Sequence, residues 1–234
     1  MLLQAALNGD RAPSDHPAVP ITPEQLAADA AACAAAGARA VHLHPRDEDG
    51  RERLDAWLVD AVVERVRNEA EIPVGVSTGA WIEPDLERRL ALIGAWRAPD
   101  YASVNLSEDG AERVMAALID AGVDIEAGVW SVEDAERLAA SGASVLRVLV
   151  EPVDAGKDAL GIVAEIHAAL DRHGVDAPRL QHGDGDATWV LIEDAVRRGC
   201  DTRVGLEDTL RGPEGKPAQG NAALIRAARA LYSG

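Results

Sequence analysis

The sequence has no phenylalanine, and aromatic residues make up only 3% of its 234 positions. A core with so few large rings must be built from aliphatic side chains, and alanine, valine, leucine and isoleucine are plentiful. Cysteine is also scarce, because Cys33 and Cys200 are the two in the chain and lie far apart. This usage favours reduced thiols over a disulfide framework and predicts a cytoplasmic protein.

Basic residues and long apolar runs are in short supply as well. The formal net charge is −17, from 40 acidic and 23 basic residues. Nucleic-acid affinity depends on clustered lysine and arginine, so neither nucleic acid nor an anionic membrane surface is an expected partner. No apolar run approaches the ~20 residues that span a bilayer, and the apolar start of the chain is expected to be a strand rather than a signal peptide. A small anionic substrate stays compatible, since one arginine can bind a carboxylate through two hydrogen bonds.

Short apolar segments alternate with longer alanine-rich segments that carry apolar residues at helical spacing. Eight such strand-helix units, in a chain close to the ~250 residues typical of the fold, predict a (β/α)8 TIM barrel. No linker or composition shift divides the chain, so residues 1–234 are predicted to form a single domain. The alternative is an open doubly wound sheet, but the turn at 8–11 lacks the G-x-G-x-x-G pattern. The predicted strands cover residues 2–7, 40–44, 73–77, 101–106, 124–129, 144–150, 179–182 and 202–205.

Helix boundaries follow from capping residues and glycines. Thr22, Pro23 and Gln25 match a capping box with proline at the first helical position, and Gly37 is expected to end that helix. The remaining predicted helices cover about residues 55–69, 84–93, 110–121, 132–140, 157–173, 187–198 and 221–231.

His42 and His44 lie two residues apart in a predicted strand. Side chains two apart point to the same face with Cα atoms about 6 to 7 Å apart, so the two imidazoles face one point. Imidazole is the commonest protein ligand for zinc, and a catalytic zinc typically has three protein ligands and one open position. The alternative is that both rings simply pack or hydrogen-bond at the end of a strand. The spacing favours half of a metal site.

Active sites of TIM barrels lie at the C-terminal ends of the strands, and polar groups collect there in this sequence. Ser77, Thr78 and Gly79 offer hydroxyl and backbone N–H groups for an oxyanion, although ordinary turn chemistry explains them equally well. Glu126 is a candidate acid or base, or else a salt-bridge partner. The strand-end set comprises Asn8, Asp10, His42, His44, Ser77, Thr78, Asn105, Ser107, Glu126, Glu151, His182, Asp184, Arg203, Glu207 and Asp208.

Glu207 is the preferred third metal ligand, because it follows the last strand on the alternation of Arg203 and His2Glu is an established zinc set. Asp208 then points elsewhere, which suits a base. The alternative is that Glu207 and Asp208 cap the last helix, and His182 or Glu151 could also complete the ligand set. Arg203 is costly to bury unpaired, so it is expected to pair with an acid or to bind a substrate carboxylate.

Several of these segments together resemble the β-keto acid cleavage enzyme family. The matching segments are N-G-D-R at 8–11, H-P-A-V-P-I-T-P-E at 16–24, V-H-L-H-P-R-D at 41–47, S-T-G at 77–79 and R-V-G-L-E-D at 203–208. The similarity runs in order along nearly the whole chain. One difference is the segment H-G-D-G-D at 182–186, which stands where typical members have a G-x-G-R-like turn.

The resemblance implies a homotetrameric (β/α)8 barrel that holds Zn²⁺ or another divalent metal through His42, His44 and Glu207. It implies condensation of a small anionic β-keto acid with acetyl-CoA, giving acetoacetate and a new acyl-CoA. Asp208, kept ionised by Arg203, would be the general base, and Ser77 would support the oxyanion. Asp10 and Glu126 would contact the variable end of the substrate or assist proton transfer. The residues predicted to bind the substrate are Asn8, Asp10, Thr78, Gly79, Asn105 and Ser107.

Two alternative functions remain on the sequence alone. A metal-dependent hydrolase on the same barrel also uses a His-x-His strand, but such sites usually add histidines on the middle strands. Here the fifth and sixth strands carry Glu126 and Glu151 instead. The second alternative is a non-catalytic barrel that binds a metal or metabolite.

Overall fold

Eight parallel strands close into a barrel in the computed structural model, which describes residues 1–153 and 158–232. Each strand pairs with its neighbours in sequence, and the last pairs with the first, so no strand edge is left open. The predicted TIM barrel is therefore confirmed. The strands are β1 (Leu3–Ala6), β2 (Ala40–Leu43), β3 (Val74–Ser77), β4 (Tyr101–Asn105), β5 (Asp124–Val129), β6 (Arg147–Val150), β7 (Arg179–Gln181) and β8 (Asp201–Val204).

One helix follows each strand and packs on the outside of the barrel. The helices are α1 (Pro23–Ala36), α2 (Ala56–Ala70), α3 (Leu86–Ile93), α4 (Ala111–Ala121), α5 (Val132–Ser141), α6 (Ala159–Arg172), α7 (Thr188–Arg198) and α8 (Asn221–Tyr232). The predicted boundaries hold to within a few residues; α3 begins later than predicted because the side chain of Asp85 caps it. The predicted start of the sixth helix at residue 157 lies outside the described residues. None of the helices within the described ranges is long and apolar enough to cross a membrane.

The first helix confirms the predicted capping box. The Thr22 side chain accepts a hydrogen bond from the backbone N–H of Gln25, and the Gln25 side chain accepts one from the backbone N–H of Thr22. Two of the N–H groups that a helix start leaves without partners are thereby satisfied.

The core is aliphatic, as the composition predicts, and lies between the barrel and its helices. The barrel interior contains a polar layer nearer to the N-terminal ends of the strands than His42 is. Gln4 belongs to this layer, and it is in register with Ala40, two residues before His42. There the Gln4 side chain donates hydrogen bonds to the Tyr101 hydroxyl and to Glu126. This layer closes the barrel beneath the strand ends on which the candidate site is built.

Candidate metal centre and active site

Three side chains predicted to bind metal meet at the C-terminal end of the barrel. The Nε2 atoms of His42 and His44 lie 3.2 Å apart, and each lies 3.8 Å from the Oε1 atom of Glu207. Both histidines are buried, and the three ligand atoms, one from each residue, lie within 4.8 Å of one another. Among the described residues, this is the His, Cys, Asp or Glu cluster compact enough to hold a metal ion; His182 and Glu151 are not part of it.

The strand β2 and its neighbour β1 bring the two histidines into position. His42 is in register with Ala6 of β1, and His44 follows directly after β2. The side chain of Asn8 both accepts a hydrogen bond from the backbone N–H of His44 and donates one to its carbonyl. This pair of bonds fixes the backbone that carries the second imidazole.

Glu52 orients the His44 ring. Its Oε2 atom lies 2.8 Å from the Nδ1 atom of His44 and accepts a hydrogen bond from the indole of Trp81, which stacks against His44. A carboxylate at Nδ1 selects the tautomer that donates there and leaves Nε2 with a free lone pair. Glu52 and Trp81 could not be predicted from the sequence, because neither lies in a recognisable motif with His44.

Glu207 is positioned by Arg203 and by a close backbone approach. Arg203 donates a hydrogen bond of 2.8 Å to Glu207 and one of 2.7 Å to Asp208, so its buried guanidinium is paired with two acids as predicted. Gly9 has a φ of +50°, and a Cβ built on it would lie 2.5 Å from the Cγ atom of Glu207. Glycine is therefore favoured at this position by both its backbone conformation and the lack of space. The alternative that Glu207 and Asp208 cap the last helix is wrong, since α8 begins only at Asn221.

The two acids that share Arg203 differ in their pKa values. Burial by itself raises the pKa of Glu207, but Arg203 and the two imidazoles outweigh it and lower the pKa below its usual range. For Asp208, burial outweighs the attraction of Arg203 and raises the pKa. The implied role of Arg203 in keeping Asp208 ionised stays a prediction, and the same guanidinium also pairs with Glu207.

The donor atoms suit a divalent cation. Burial lowers the pKa of His42 to about 3, so the ring is neutral and its nitrogen is available as a ligand. The Oε2 atom of Glu207 and the Nδ1 atom of His42 are buried without a hydrogen-bond partner. Two imidazole nitrogens and a carboxylate form a donor set that zinc accepts in catalytic sites. Without a cation, the 3.2 Å contact requires one imidazole to donate to the other.

A cavity of about 330 Å³ opens above these residues. Of the predicted substrate-binding and catalytic residues, Asp10, Ser77, Asn105 and Arg203 line it, together with the three proposed metal ligands. The remaining lining residues are Gly9, Trp81, Ser103, Trp130, Leu149, Glu151, Val153 and Asp184.

The other predicted substrate-binding residues do not line the cavity; they are Asn8, Thr78, Gly79 and Ser107. The Thr78 hydroxyl donates to the carbonyl of Ser103, and the Ser77 hydroxyl accepts a hydrogen bond from the backbone N–H of Gly79. These are the contacts of an ordinary turn, the alternative considered for this segment. Ser107 is exposed. Asn8 is buried, and its side chain makes both of its hydrogen bonds to the backbone of His44.

Glu126 lies in the polar layer beneath the cavity rather than in its wall. It is fully buried, accepts a hydrogen bond from Gln4 and pairs with Arg147 at 3.2 Å. Burial raises the pKa of Glu126 to about 7 despite this pairing. The geometry corresponds to the salt-bridge alternative, and a role of Glu126 as acid or base stays a prediction.

Asp208 lies behind Arg203 and does not line the cavity. Its Oδ1 atom is occupied by Arg203, while its buried Oδ2 atom has no hydrogen-bond partner. The assignment of Asp208 as the base stays a prediction. Glu151, which sequence reasoning considered only as a substitute metal ligand, lines the cavity instead.

Comparisons with known proteins show which proteins this chain is similar to. One relative is the 3,5-dioxohexanoate:acetyl-CoA acetone transferase of Paraburkholderia graminis, 25% identical over 95% of this chain and 86% of its own length. Another is the 3-keto-5-aminohexanoate cleavage enzyme of Fusobacterium nucleatum, 34% identical over 91 residues, which are 38% of this chain and 34% of that enzyme.

Among solved structures, ObcA in a ternary complex with a C4-CoA adduct and oxalate has a TM-score of 0.72 at 20% sequence identity. The match covers 92% of this chain and 63% of ObcA, so this chain spans less than two thirds of that protein. Apo ObcA gives a TM-score of 0.70 at 19% identity, over 92% of this chain and 61% of that one. At these identities the likeness shows the fold alone.

A model of the beta-keto acid cleavage enzyme family matches residues 1–233. A match over nearly the whole chain confirms both the resemblance seen in its motifs and the prediction that the protein is an enzyme. This chain belongs to the beta-keto acid cleavage enzyme family.

Proposed function

We propose that this protein is a zinc-dependent β-keto acid cleavage enzyme. It condenses a small β-keto acid with acetyl-CoA and releases acetoacetate and a new acyl-CoA. The observation that carries the proposal is the donor group of His42, His44 and Glu207 at the wall of a cavity, in a chain matched to the family over residues 1–233. The names of the curated relatives, one an acetyl-CoA-dependent transferase and one a keto acid cleavage enzyme, support the same chemistry.

His42, His44 and Glu207 would hold the divalent cation. Zinc is favoured because two imidazoles and one carboxylate leave a position open for substrate. When bound, the cation acts as a Lewis acid toward the oxygens of the keto acid, which acidifies the carbon between them. Glu52 would keep the His44 ring in the ligating tautomer, and Gly9 would keep the space that Glu207 occupies.

The chain's own residues would then bind the substrates and move the proton. Arg203 would hold Glu207 in place and attract the substrate carboxylate. Asp208 is the proposed proton acceptor, through its unpartnered Oδ2 atom. Because Asp208 lies behind Arg203, this role requires Arg203 to shift toward the substrate. Ser77, which lines the cavity, would donate a hydrogen bond to the developing oxyanion.

The cavity wall indicates what part of the substrate it fits. Trp81, Trp130 and Leu149 give the wall an apolar side, while Asp10 and Asn105 supply polar groups at its edge. The cavity of about 330 Å³ accommodates a small acid together with the acyl end of a thioester. We therefore expect a short β-keto acid. The subunit count is also a prediction, with a homotetramer expected.

The test is turnover with a panel of β-keto acids, measured as acyl-CoA formation with and without acetyl-CoA. Acyl-CoA formation that requires acetyl-CoA supports the proposal. Turnover driven by water alone would support the hydrolase instead. Binding without turnover would leave a non-catalytic barrel. Removal of metal by a chelator and its return as Zn²⁺ should abolish and restore activity, and activity that survives chelation contradicts the metal dependence.

A further inference from the structure

The reaction proposed above needs two proton transfers at one carbon. A proton leaves the carbon before condensation, and a proton must return to it after the carbon–carbon bond breaks. Asp208 is the proposed acceptor for the first transfer and does not line the cavity. The second transfer needs a proton donor that lines the cavity.

Glu151 is a carboxyl group in the cavity wall on the side away from β1 and β2. It follows directly after β6 and lines the same cavity as His42, Arg203 and Glu207. Its side chain is 18% exposed, so the carboxyl group is largely desolvated but can still exchange protons with solvent. No role for Glu151 is needed in the proposed metal site or in binding the substrate carboxylate.

A buried histidine stands behind Glu151. The Nε2 atom of His182 lies 3.6 Å from the Oε2 atom of Glu151, and the Nδ1 atom lies 3.8 Å from the Oδ1 atom of Asp208. The ring is fully buried, and neither nitrogen has a hydrogen-bond partner. A purely structural position of this kind would be filled at lower cost by an aliphatic side chain. An imidazole held between two carboxylates can instead orient either of them.

The charges around this pair agree with a role in proton transfer. Burial raises the pKa of Glu151 to about 7, against the attraction of Arg203 and with the help of Glu207. Burial also lowers the pKa of His182 well below its usual range, so the ring is neutral and has one N–H to donate. A carboxylic acid that is partly protonated at neutral pH suits a general acid.

We propose that Glu151 is a further catalytic residue, the general acid that protonates the released carbon, and that His182 is the residue that positions it. This inference rests on the proposed function. The CoA thiol released in the condensation forms a thioester bond with the acyl group as the carbon–carbon bond breaks, and the electron pair of the broken bond stays on the carbon that becomes C2 of acetoacetate. The O–H bond of Glu151 breaks and a C–H bond forms at that carbon. Glu151 is left as a carboxylate and takes its next proton from solvent.

The experiment compares Glu151→Gln with two other variants in two assays. The first assay is full turnover with acetyl-CoA, and the second is exchange of the C2 protons of the β-keto acid with D2O without acetyl-CoA. We expect Glu151→Gln to lower turnover by at least ~100-fold while exchange stays within about threefold of wild type. Asp208→Asn should lose both turnover and proton exchange. Glu165→Gln, the same change on an exposed position of α6, is the matched control and should lose neither.

Two results would overturn the assignment of Glu151. One is turnover within about threefold of wild type in Glu151→Gln, and the other is an equal loss of exchange and turnover, which would make Glu151 the first base. A failure of the proposed function gives a different pattern, since wild-type protein would then lack both activities with every β-keto acid.

His182 is tested separately through its effect on Glu151. His182→Gly should lower kcat with little change in KM for either substrate, and added imidazole should restore part of kcat. Metal content of that variant, measured by elemental analysis, should equal that of wild type. A loss of metal would instead make His182 a ligand, and a failure of imidazole to restore kcat in a folded, metal-loaded variant would contradict the positioning role.

Discussion

The two walls of the cavity are built in different ways. On the wall of β1, β2 and β8, each functional group is held by a direct contact of hydrogen-bond length, from Asn8 to the His44 backbone and from Arg203 to Glu207. On the wall of β6 and β7, His182 lies 3.6 and 3.8 Å from its two carboxylates, with no hydrogen bond to either. The first wall suits a fixed ligand set, and the second suits groups that exchange a proton. Substitutions around the cavity test this difference, and the largest effect is expected at the metal ligands.

Removal of one imidazole should abolish metal binding. His42→Ala deletes one of three donors, so we expect metal content near zero and no detectable turnover, while the circular dichroism spectrum stays that of the barrel. Elemental analysis of the purified variant measures the first quantity. Full metal occupancy in this variant would remove His42 from the ligand set.

The residue behind His44 should affect metal affinity less than a ligand does. Glu52→Ala removes the acceptor at Nδ1 of His44, and loss of such a partner typically lowers metal affinity by about 10- to 100-fold. Titration with Zn²⁺ against a competing chelator measures the metal affinity. Glu48→Ala, an exposed position in the same loop, is the control and should leave affinity unchanged. An equal effect of both substitutions would show that the loop matters rather than the contact with His44.

Gly9→Ala should displace the side chain of Glu207, the third proposed metal ligand. The new Cβ would lie 2.5 Å from the Cγ atom of Glu207, and the φ of +50° adds backbone strain on the order of 1 kcal/mol. We expect weaker zinc binding and a modest fall in Tm. Gly50→Ala is a matched control, since that glycine also has a positive φ but nothing within 4 Å of its Cβ position. If both variants lose the same metal affinity, backbone strain rather than the contact with Glu207 is the cause.

The smallest expected effect concerns the hydrogen bonds of Asn221 to the segments that follow β1 and β8. Asn221 donates to the carbonyl of Leu7 and to Asp29, and it accepts from the backbone N–H of Leu206. Burial raises the pKa of Asp29 to about 6, so its neutral form stabilises the fold at low pH and that contribution is lost as pH rises through 6.

Asp29→Asn removes the charge and should therefore raise the free energy of unfolding at pH 8 by on the order of 1 kcal/mol. Little gain is expected at pH 4, where Asp29 of the folded wild type is already protonated. Thermal unfolding of both proteins at the two pH values measures the difference. A gain of equal size at pH 4 would assign the effect to packing rather than to ionisation.

Sequence reasoning was strongest where function depends on local spacing. The alternation of His42 with His44, and of Arg203 with Glu207, placed four side chains on one face, and the structure brings all four together. The barrel followed from eight repeats of one pattern. Both inferences depend on periodicity, which the order of residues contains directly.

Sequence reasoning was weaker where function depends on depth within the barrel. Both Glu126 and Glu151 were predicted at strand ends, but Glu126 lies within β5, beneath the cavity, whereas Glu151 follows β6 and lies in the cavity wall. Strand register and stagger decide that difference, and neither can be read from one strand alone. Glu52 was missed because its contact with His44 depends on the path of the loop between β2 and α2.

The central claim is that His42, His44 and Glu207 hold the catalytic metal. The most direct test is a crystal structure of zinc-loaded protein with anomalous scattering measured at the zinc edge. The account predicts one peak at about 2.0 to 2.2 Å from the Nε2 atoms of His42 and His44 and from a carboxylate oxygen of Glu207. A peak between His182 and Glu151, or none at the histidine pair, would contradict it.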